Sequence, residues 1–217
     1  MMTTASSPKK RRPGRPPVVA DARERILLEA SKLFAQSGYE NSSIHELAAA
    51  IGMTKPAIYH YFATKQDIYD AIILRTLEGL IAEVFPAVQA ETSAVDKLRV
   101  FMTVHAAYLE RNYWSFVAML VGFSGMSPSY RDDAARLRDA YERLLRQILE
   151  QGAKEGVFRA GQVATSGRAV LSLLNWMARW FKPGHGSTAE QIALDYFELL
   201  SAGLCIKPDT SRGQPCR

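Results

Sequence analysis

The 217-residue sequence is poor in cysteine and has no long apolar run. Cys205 and Cys216 are its two cysteines. Two isolated thiols, with no secretory segment ahead of them, are typical of a protein in a reducing cytoplasm. No apolar stretch approaches the length of about 18 residues that indicates a transmembrane helix. We therefore expect a soluble, cytoplasmic protein that does not enter a membrane.

The sequence also lacks the residue patterns of most catalytic sites. Neither cysteine has a neighbouring cluster of histidines or carboxylates at metal-ligand spacing, and no glycine-rich loop is suited to hold a phosphate. No nucleophile has an evident neighbouring base. We expect no metal, no cofactor and no enzymatic activity. Turnover of a bound ligand would revive the alternative of a helical enzyme.

The segment SIHELAAAIGMTKPAIYHYF, which begins at Ser43, contains two short helical patterns. Apolar residues recur at helical spacing over residues 44 to 51, and Ser43 with Glu46 forms a capping box at the start. Gly52 ends this helix, and Thr54 can cap the next one. Two short helices joined by about four residues including a glycine form a helix-turn-helix, whose second helix enters the major groove of DNA.

The second short helix has an apolar side and a polar side. Ile58 and Phe62 are four residues apart and can point inward. The residues that can then face outward are Thr54, Lys55, Ala57, Tyr59 and His60. Such a face suits contacts with base edges and phosphates. The alternative is a helical hairpin buried in an all-α core, but a core helix seldom has lysine, tyrosine and histidine on its outer face.

The residues on either side of this segment extend the pattern. ERILLEASKLFAQSGYENSS precedes it and ATKQDIYDAI follows it. Together with GMTKPAIYHYF, these strings resemble the TetR family of bacterial transcriptional repressors over about residues 21 to 75. The resemblance implies a three-helix DNA-binding head, an all-helical ligand-binding body and a homodimer.

The resemblance also implies roles for individual residues of the head. Tyr59, His60 and Lys65 match positions that contact phosphates, and the outer face of residues 54 to 60 matches the positions that contact base edges. Ser43, at the start of the first short helix, completes our candidate DNA-binding set in the head. Pro56 departs from the many relatives that have glycine there. This difference should leave the fold intact but affects backbone contacts at that position.

The positive charge of the chain is concentrated at its N-terminus. The net charge is +5, and residues 1 to 20 hold five cations and no acid. Residues 21 to 80 hold six basic and eight acidic side chains. The head is therefore not basic overall, and its attraction to double-stranded DNA must come from a local cationic face and from the N-terminal arm.

The composition of this arm predicts disorder. Its core, Arg12-Pro13-Gly14-Arg15-Pro16, resembles an AT-hook. In an AT-hook, arginines such as Arg12 and Arg15 enter a narrow A·T minor groove, where the negative potential is enhanced. Two alternatives remain open, a solubilising basic tail and a nuclear-import signal at PKKRRP.

Helical patterns continue through the rest of the chain, so we predict an all-α fold. We assign residues 1–20 to the arm, 21–66 to the helix-turn-helix head, 67–206 to an effector-binding and dimerisation body, and 207–217 to a disordered tail. The expected helices outside the helix-turn-helix are 21–37, 64–84, 93–110, 113–123, 132–155, 163–181 and 188–204. We expect Pro86 to stop the helix that begins at residue 64, because proline lacks the backbone N–H that a helix needs.

The body is rich in aromatic residues and methionine, above all in YWSFVAMLVGF at residues 113–123. These residues can form a packed core or line a pocket for a hydrophobic small molecule. A lone histidine in such a place is more often a core group than a ligand contact. The candidate ligand-binding residues are Met102, His105, Tyr113, Phe116, Val117, Leu120, Asn175, Trp176, Arg179 and Trp180.

Residues 173–186, LLNWMARWFKPGHG, are similar to the C-terminal region of TetR-family repressors that sense acyl-CoA thioesters. Arg179 could contact phosphates while a tryptophan stacks on adenine. The alternative is that these residues are dimer-interface aromatics beside cations that suit a helix C-terminus.

The two last helices have wide apolar faces that one core cannot easily bury, which favours a homodimer built from a four-helix bundle. The sequence thus predicts a homodimeric repressor that binds a palindromic operator and is released by a hydrophobic ligand. The main alternative is an architectural DNA-binding protein without an effector.

Overall fold

A computed structural model describes residues 18–122 and 126–204, and their regular structure is helical. The helices of this part of the chain are α1 Val18–Ser37, α2 Ile44–Ile51, α3 Lys55–Tyr59, α4 Lys65–Ala90, α5 Ala94–Arg111, α6 Tyr113–Gly122, α7 Pro128–Lys154, α8 Val163–Trp180 and α9 Ala189–Leu204. The all-α fold class is therefore confirmed. Arg12, Arg15, both cysteines and the tail at residues 207–217 lie outside the described residues.

The start and end of each short helix follow from local hydrogen bonding. Ser43 Oγ accepts from the backbone N–H of Glu46 at 3.2 Å, while Glu46 accepts from the backbone N–H of Ser43 at 2.8 Å. Gly52 ends α2 in the left-handed conformation, with φ +66°. Thr54 caps α3, and Pro56 lies in the first turn of that helix, where its missing N–H costs little.

Helices α1, α2 and α3 pack together as the head. Their shared core includes Ile26, Phe34, Leu47 and Ile58, all nearly or fully buried. The beginning of α4 packs on the same core, and a second capping box, between Thr64 and Asp67, fixes where α4 starts. The head is thus joined to the body by a helix with a defined first turn.

Helix α4 has 26 residues, which corresponds to about 39 Å. The expectation that Pro86 stops it is wrong, because the helix continues to Ala90. Proline at position 86 lacks a backbone N–H, so one helical hydrogen bond is missing, the one to the carbonyl of Ala82. Both residues are exposed, so this carbonyl lies on the side of the helix that water reaches. The same rod therefore contacts α1 in the head and α5, α6 and α7 in the body.

Other boundaries differ from the expected ones by a few residues. Helix α1 begins at Val18, three residues before the expected start at Asp21. Helix α7 begins at Pro128 instead of residue 132, because proline is well suited to the first position of a helix.

In the body, α5 lies at the centre and packs most extensively against α4 and α9, while α8 lies between α7 and α6. Within 18–122 and 126–204, no helix combines the length and apolar character needed to cross a bilayer.

Candidate nucleic-acid interface and ligand cleft

Helix α3 divides its side chains between the core of the head and solvent. Ile58 is completely buried, and Phe62, just after the helix, is nearly so. The opposite side exposes Lys55, Tyr59 and His60. Tyr59 is 47% exposed, which is unusual for a large aromatic side chain and makes it accessible to a partner. The structure therefore presents one short polar face on α3 to solvent.

Two further members of the predicted DNA-binding set have their hydroxyls engaged as helix caps. Thr54 Oγ1 accepts from the backbone N–H of Ala57 at 3.3 Å, and the half-buried Ala57 follows it along the helix. Ser43 donates its hydroxyl to Glu46 at 2.8 Å. Hydrogen bonds from the side chain and backbone of Ser43 lower the pKa of Glu46, so this carboxylate stays ionised and holds the cap.

Lys65 is held in place by groups of the head. Its Nζ donates to the backbone carbonyl of Ser42 at 2.6 Å and lies 4.2 Å from the ring centroid of Tyr39. The Tyr39 ring in turn contacts Phe34 and Tyr69 in one aromatic cluster, with centroid separations of 5.5 and 4.7 Å. The ammonium group is therefore preorganised at the first turn of α4, and it has further N–H groups that can reach a phosphate.

A partly open cleft of 840 Å³ lies between α6, α7 and α8. Its apolar lining residues are Ala35, Val117, Leu120, Leu145, Val163, Ala164, Gly167, Leu171 and Ala178. Its polar and aromatic lining residues are Tyr113, Glu142, Arg146, Arg168, Ser172, Asn175, Trp176 and Arg179. Ala35 belongs to α1, so one wall of the cleft is part of the head.

The cleft carries more positive than negative charge. Arg146, Arg168 and Arg179 line it together with one acid, Glu142. Within the described residues, none of these three arginines forms an ion pair. The guanidinium of Arg179 lies 5.5 Å from the ring of Trp176, whose side chain is 63% exposed. An amphipathic anion could place its charge on the arginines and its apolar part between the helices.

Six of the ten predicted ligand-binding residues line this cleft: Tyr113, Val117, Leu120, Asn175, Trp176 and Arg179. The other four do not. Met102, His105 and Phe116 are in the core, at most 1% exposed, and Trp180 lies outside the lining although it is 46% exposed.

His105 has a core environment. Its Nδ1 is 2.8 Å from the hydroxyl of Tyr141, and Phe116 packs against its ring. Burial lowers the pKa of His105 to about 3, so the imidazole is neutral at pH 7. Its Nε2 is buried without a hydrogen-bond partner in this part of the chain.

Arg146 and Arg168 were not among the residues predicted from the sequence. A usable signal exists for the second, because Arg168, Asn175 and Arg179 follow one another at seven and four residues and so share one face of α8. No comparable signal exists for Arg146, which is one of many exposed charges on α7. Its position in the cleft depends on how α7 packs against α8.

Large apolar side chains are exposed on the last two helices. Trp176 and Trp180 of α8 are 63% and 46% exposed, and Leu199 of α9 is 73% exposed. Side chains of this size rarely cluster at the surface of a monomer unless a partner covers them. The sequence analysis predicted a dimer interface built from these same two helices.

Comparisons with known proteins match both halves of the chain. Residues 26–72 match the family described as bacterial regulatory proteins, tetR family, and residues 91–204 match the tetracyclin repressor-like C-terminal domain. A solved TetR family transcriptional regulator, PfmR from Thermus thermophilus, is 46% identical with a TM-score of 0.78; the match covers 82% of this chain and 97% of that one.

Two further relatives extend the comparison. The structure of AibR in complex with isovaleryl coenzyme A and operator DNA is 26% identical with a TM-score of 0.73, and the match covers 82% of this chain and 96% of that one. The HTH-type transcriptional repressor KstR2 of Mycolicibacterium smegmatis is 22% identical over 205 residues, which are 88% of this chain and 95% of that protein. These relatives span almost the same length as the chain.

Proposed function

Because the chain belongs to the TetR family of transcriptional regulators, we propose that it is a homodimeric repressor that leaves its palindromic operator when an acyl-CoA thioester binds. The observation that carries the choice of ligand is the cleft between α6, α7 and α8. It combines an apolar interior with three arginines that have no acidic partner within the described residues. AibR, a relative of similar fold, was solved with isovaleryl coenzyme A and operator DNA.

The chemistry of coenzyme A matches the mixture of arginines and apolar side chains that lines the cleft. Its pyrophosphate and 3′-phosphate are anions that arginine can hold with paired N–H groups, as Arg146, Arg168 and Arg179 would do here. Trp176 offers an exposed ring on which adenine could stack. The acyl chain would lie against the apolar residues of α6 and α8. A volume of 840 Å³ is within the range of about 300–1,000 Å³ that small-molecule sites occupy.

The polar face of α3 supplies the proposed contacts with double-stranded DNA. Tyr59 and His60 are exposed on the head, and Lys65 is the first residue of α4. We assign base edges to the outer face of residues 54 to 60 and phosphates to these three side chains. The arm at residues 1–20, with Arg12 and Arg15, adds minor-groove contacts in this proposal.

A two-fold dimer would present two copies of α3 to the operator. Half-sites one helical turn apart need recognition helices about 34–36 Å apart. The exposed Trp180 and Leu199 support a dimer through α8 and α9, because their apolar surface would be covered by the same helices of a second copy.

Release of the operator requires that ligand and DNA favour different conformations. Ala35 of α1 forms part of the cleft wall, and Ser115 of α6 donates to Ser31 of α1 at 3.0 Å. A ligand in the cleft would therefore act on a helix of the head directly, in addition to any movement of α4. Coupling of about 1–3 kcal/mol between two such sites is typical.

Native mass spectrometry is the first test, on the full-length protein with isovaleryl-CoA, octanoyl-CoA, palmitoyl-CoA and the corresponding free acids. We expect dimers that bind a CoA ester. We also expect the same ester to release the protein from a DNA duplex that the protein has selected from random sequences. Tight binding that leaves the affinity for this duplex unchanged would contradict the mechanism. Dimers that bind only free acids would contradict the assignment of the arginines to CoA phosphates.

A further inference from the structure

Asp70 is a buried carboxylate at the junction of head and body. It lies in the second turn of α4 and is 0% exposed. One of its oxygens accepts from Gln66 Nε2 at 2.9 Å and from the backbone N–H of Ser127 at 3.4 Å, and the other accepts from Ser127 Oγ at 2.5 Å. A buried carboxylate is costly unless donors surround it, so these contacts restrict how the three residues can move relative to one another.

Ser127 uses its hydroxyl in an unusual way. It is the N-cap residue of α7, yet its side chain makes no capping hydrogen bond to its own helix. The hydroxyl donates to Asp70 instead, so the N-terminus of α7 is fastened to α4 across 57 residues of sequence. The positive end of the α7 dipole also favours a carboxylate at that place.

The same network continues into the head. Gln66 Oε1 accepts from the hydroxyl of Tyr39 at 2.8 Å. The ring of Tyr39 lies under the ammonium of Lys65, and that ammonium donates to the carbonyl of Ser42 at 2.6 Å. Ser42 directly precedes the cap of α2. A continuous set of contacts therefore runs from the N-terminus of α7, through Asp70, to the first residues of the helix-turn-helix.

The body end of this set belongs to α7, a helix that also lines the cleft. Ser127 is the N-cap of α7, and the same helix contributes Arg146 to the lining of the cleft. We propose that Asp70 is a positioning residue, which ties the arrangement of Tyr39 and Lys65 to the N-terminus of α7. A shift of α7 would then reach Lys65 through Ser127 and Asp70. The proposal rests on the proposed function for the DNA contact of Lys65.

The test compares Ser127→Ala and Asp70→Asn with a matched control, Thr76→Val. Thr76 is also buried on α4, and its hydroxyl donates to the carbonyl of Ile72 one turn before. The loss of this hydroxyl therefore breaks a buried hydrogen bond outside the network. Ser127 is partly exposed, so its variant remains informative if Asp70→Asn does not fold.

Hydrogen–deuterium exchange on the full-length protein, without DNA or ligand, is the first readout. We expect Ser127→Ala and Asp70→Asn to speed exchange at residues 39–46 by about 2- to 30-fold, the range of typical modulation along a coupled path. Exchange in α5 should stay at the wild-type rate. A purely structural role would speed exchange in α5 as well, or act equally in the control, and either result would overturn the proposal.

Affinity for the duplex selected with wild-type protein is the second readout. We expect both network variants to bind it about 2- to 30-fold more weakly than the Thr76→Val control. Equal affinity in all three variants would overturn the link between Asp70 and DNA binding. If the wild-type protein selects no duplex, the proposed function fails, while the exchange experiment still decides whether Asp70 positions the head.

Discussion

Replacing Arg146 and Arg168 by glutamine tests the charge of the cleft. Glutamine keeps most of the side-chain length and the polarity but removes the positive charge. Both arginines are exposed. Exposed ion pairs contribute about 0.2–1 kcal/mol, and sheltered hydrogen bonds to charged groups about 1.5–3 kcal/mol. A bound CoA would shelter them in part, so we expect a loss of about 1 kcal/mol for each.

A loss of about 1 kcal/mol corresponds to an affinity that is about fivefold weaker. If the two effects are independent, the variant with both Arg146→Gln and Arg168→Gln should bind octanoyl-CoA about 25-fold more weakly. Isothermal titration calorimetry at about 0.05 M and about 0.5 M salt measures this loss, which should shrink at high salt because exposed charges are screened. Affinity for the selected duplex without ligand should not change, because neither residue is in the head.

Arg143→Gln is the matched control, because Arg143 is an exposed arginine on α7 that does not line the cleft. The role assigned to the cleft arginines is refuted if Arg143→Gln weakens CoA binding as much as Arg146→Gln does. It is also refuted if the double variant binds CoA as tightly as the wild-type protein at low salt. Either result would mean that the phosphates bind elsewhere and that the cleft takes only an uncharged ligand.

Three further predictions address the core, the dimer and the arm. Burial lowers the pKa of His105 from 6.5 to about 3, so in that interval mainly the unfolded state takes up its proton. The free energy of unfolding should therefore fall as the pH drops from 6.5 toward 3. Denaturant titrations should show a smaller fall in the His105→Gln variant. An equal fall with pH in both proteins would contradict this prediction. The Leu199→Asp variant should be monomeric in analytical ultracentrifugation. The control Leu28→Asp, at a leucine that is 54% exposed on α1, should remain dimeric. If both variants are dimers, the interface lies elsewhere. Deleting residues 1–17 should leave a sequence-specific footprint with a salt dependence shallower by about 0.9 per lost phosphate contact, and loss of specific binding would favour the architectural alternative.

The head could be predicted from the sequence because its signals are local. The caps at Ser43, Gly52 and Thr54 each bond a residue no more than four positions away, and each cap forms as expected. The family and the fold class are confirmed for the same reason, since a run of local patterns identifies a helix-turn-helix. The assignments of single DNA-contacting residues stay predictions.

Helix ends in the body were less predictable. Pro86 is a strong stop signal in isolation, but α4 continues past it because its solvent side tolerates a carbonyl without a helical partner. Whether a proline ends a helix depends on which side of the helix faces water. That side is set by packing against α5 and α7, which the local sequence does not contain.

The residues of the cleft were also only partly predictable from local sequence. The sequence identified an aromatic, methionine-rich body, yet it did not separate His105, which is buried against Tyr141, from Tyr113, which lines the cleft. Periodicity gives the face of a helix on which a residue lies, but not the element that this face meets.

What the sequence by itself determined is the kind of protein: a helical chain with a helix-turn-helix head, because helix caps, turns and apolar periodicity act over a few residues. Only the tertiary structure decided that Arg146 joins Arg168 and Arg179 around one cleft, that Ala35 of the head forms part of its wall, and that Asp70 meets Ser127. Apart from Arg168 and Arg179, which share α8, the groups that meet are tens of residues apart in the chain. They come together only through helix packing, whose free energy depends on the whole core and not on any one segment.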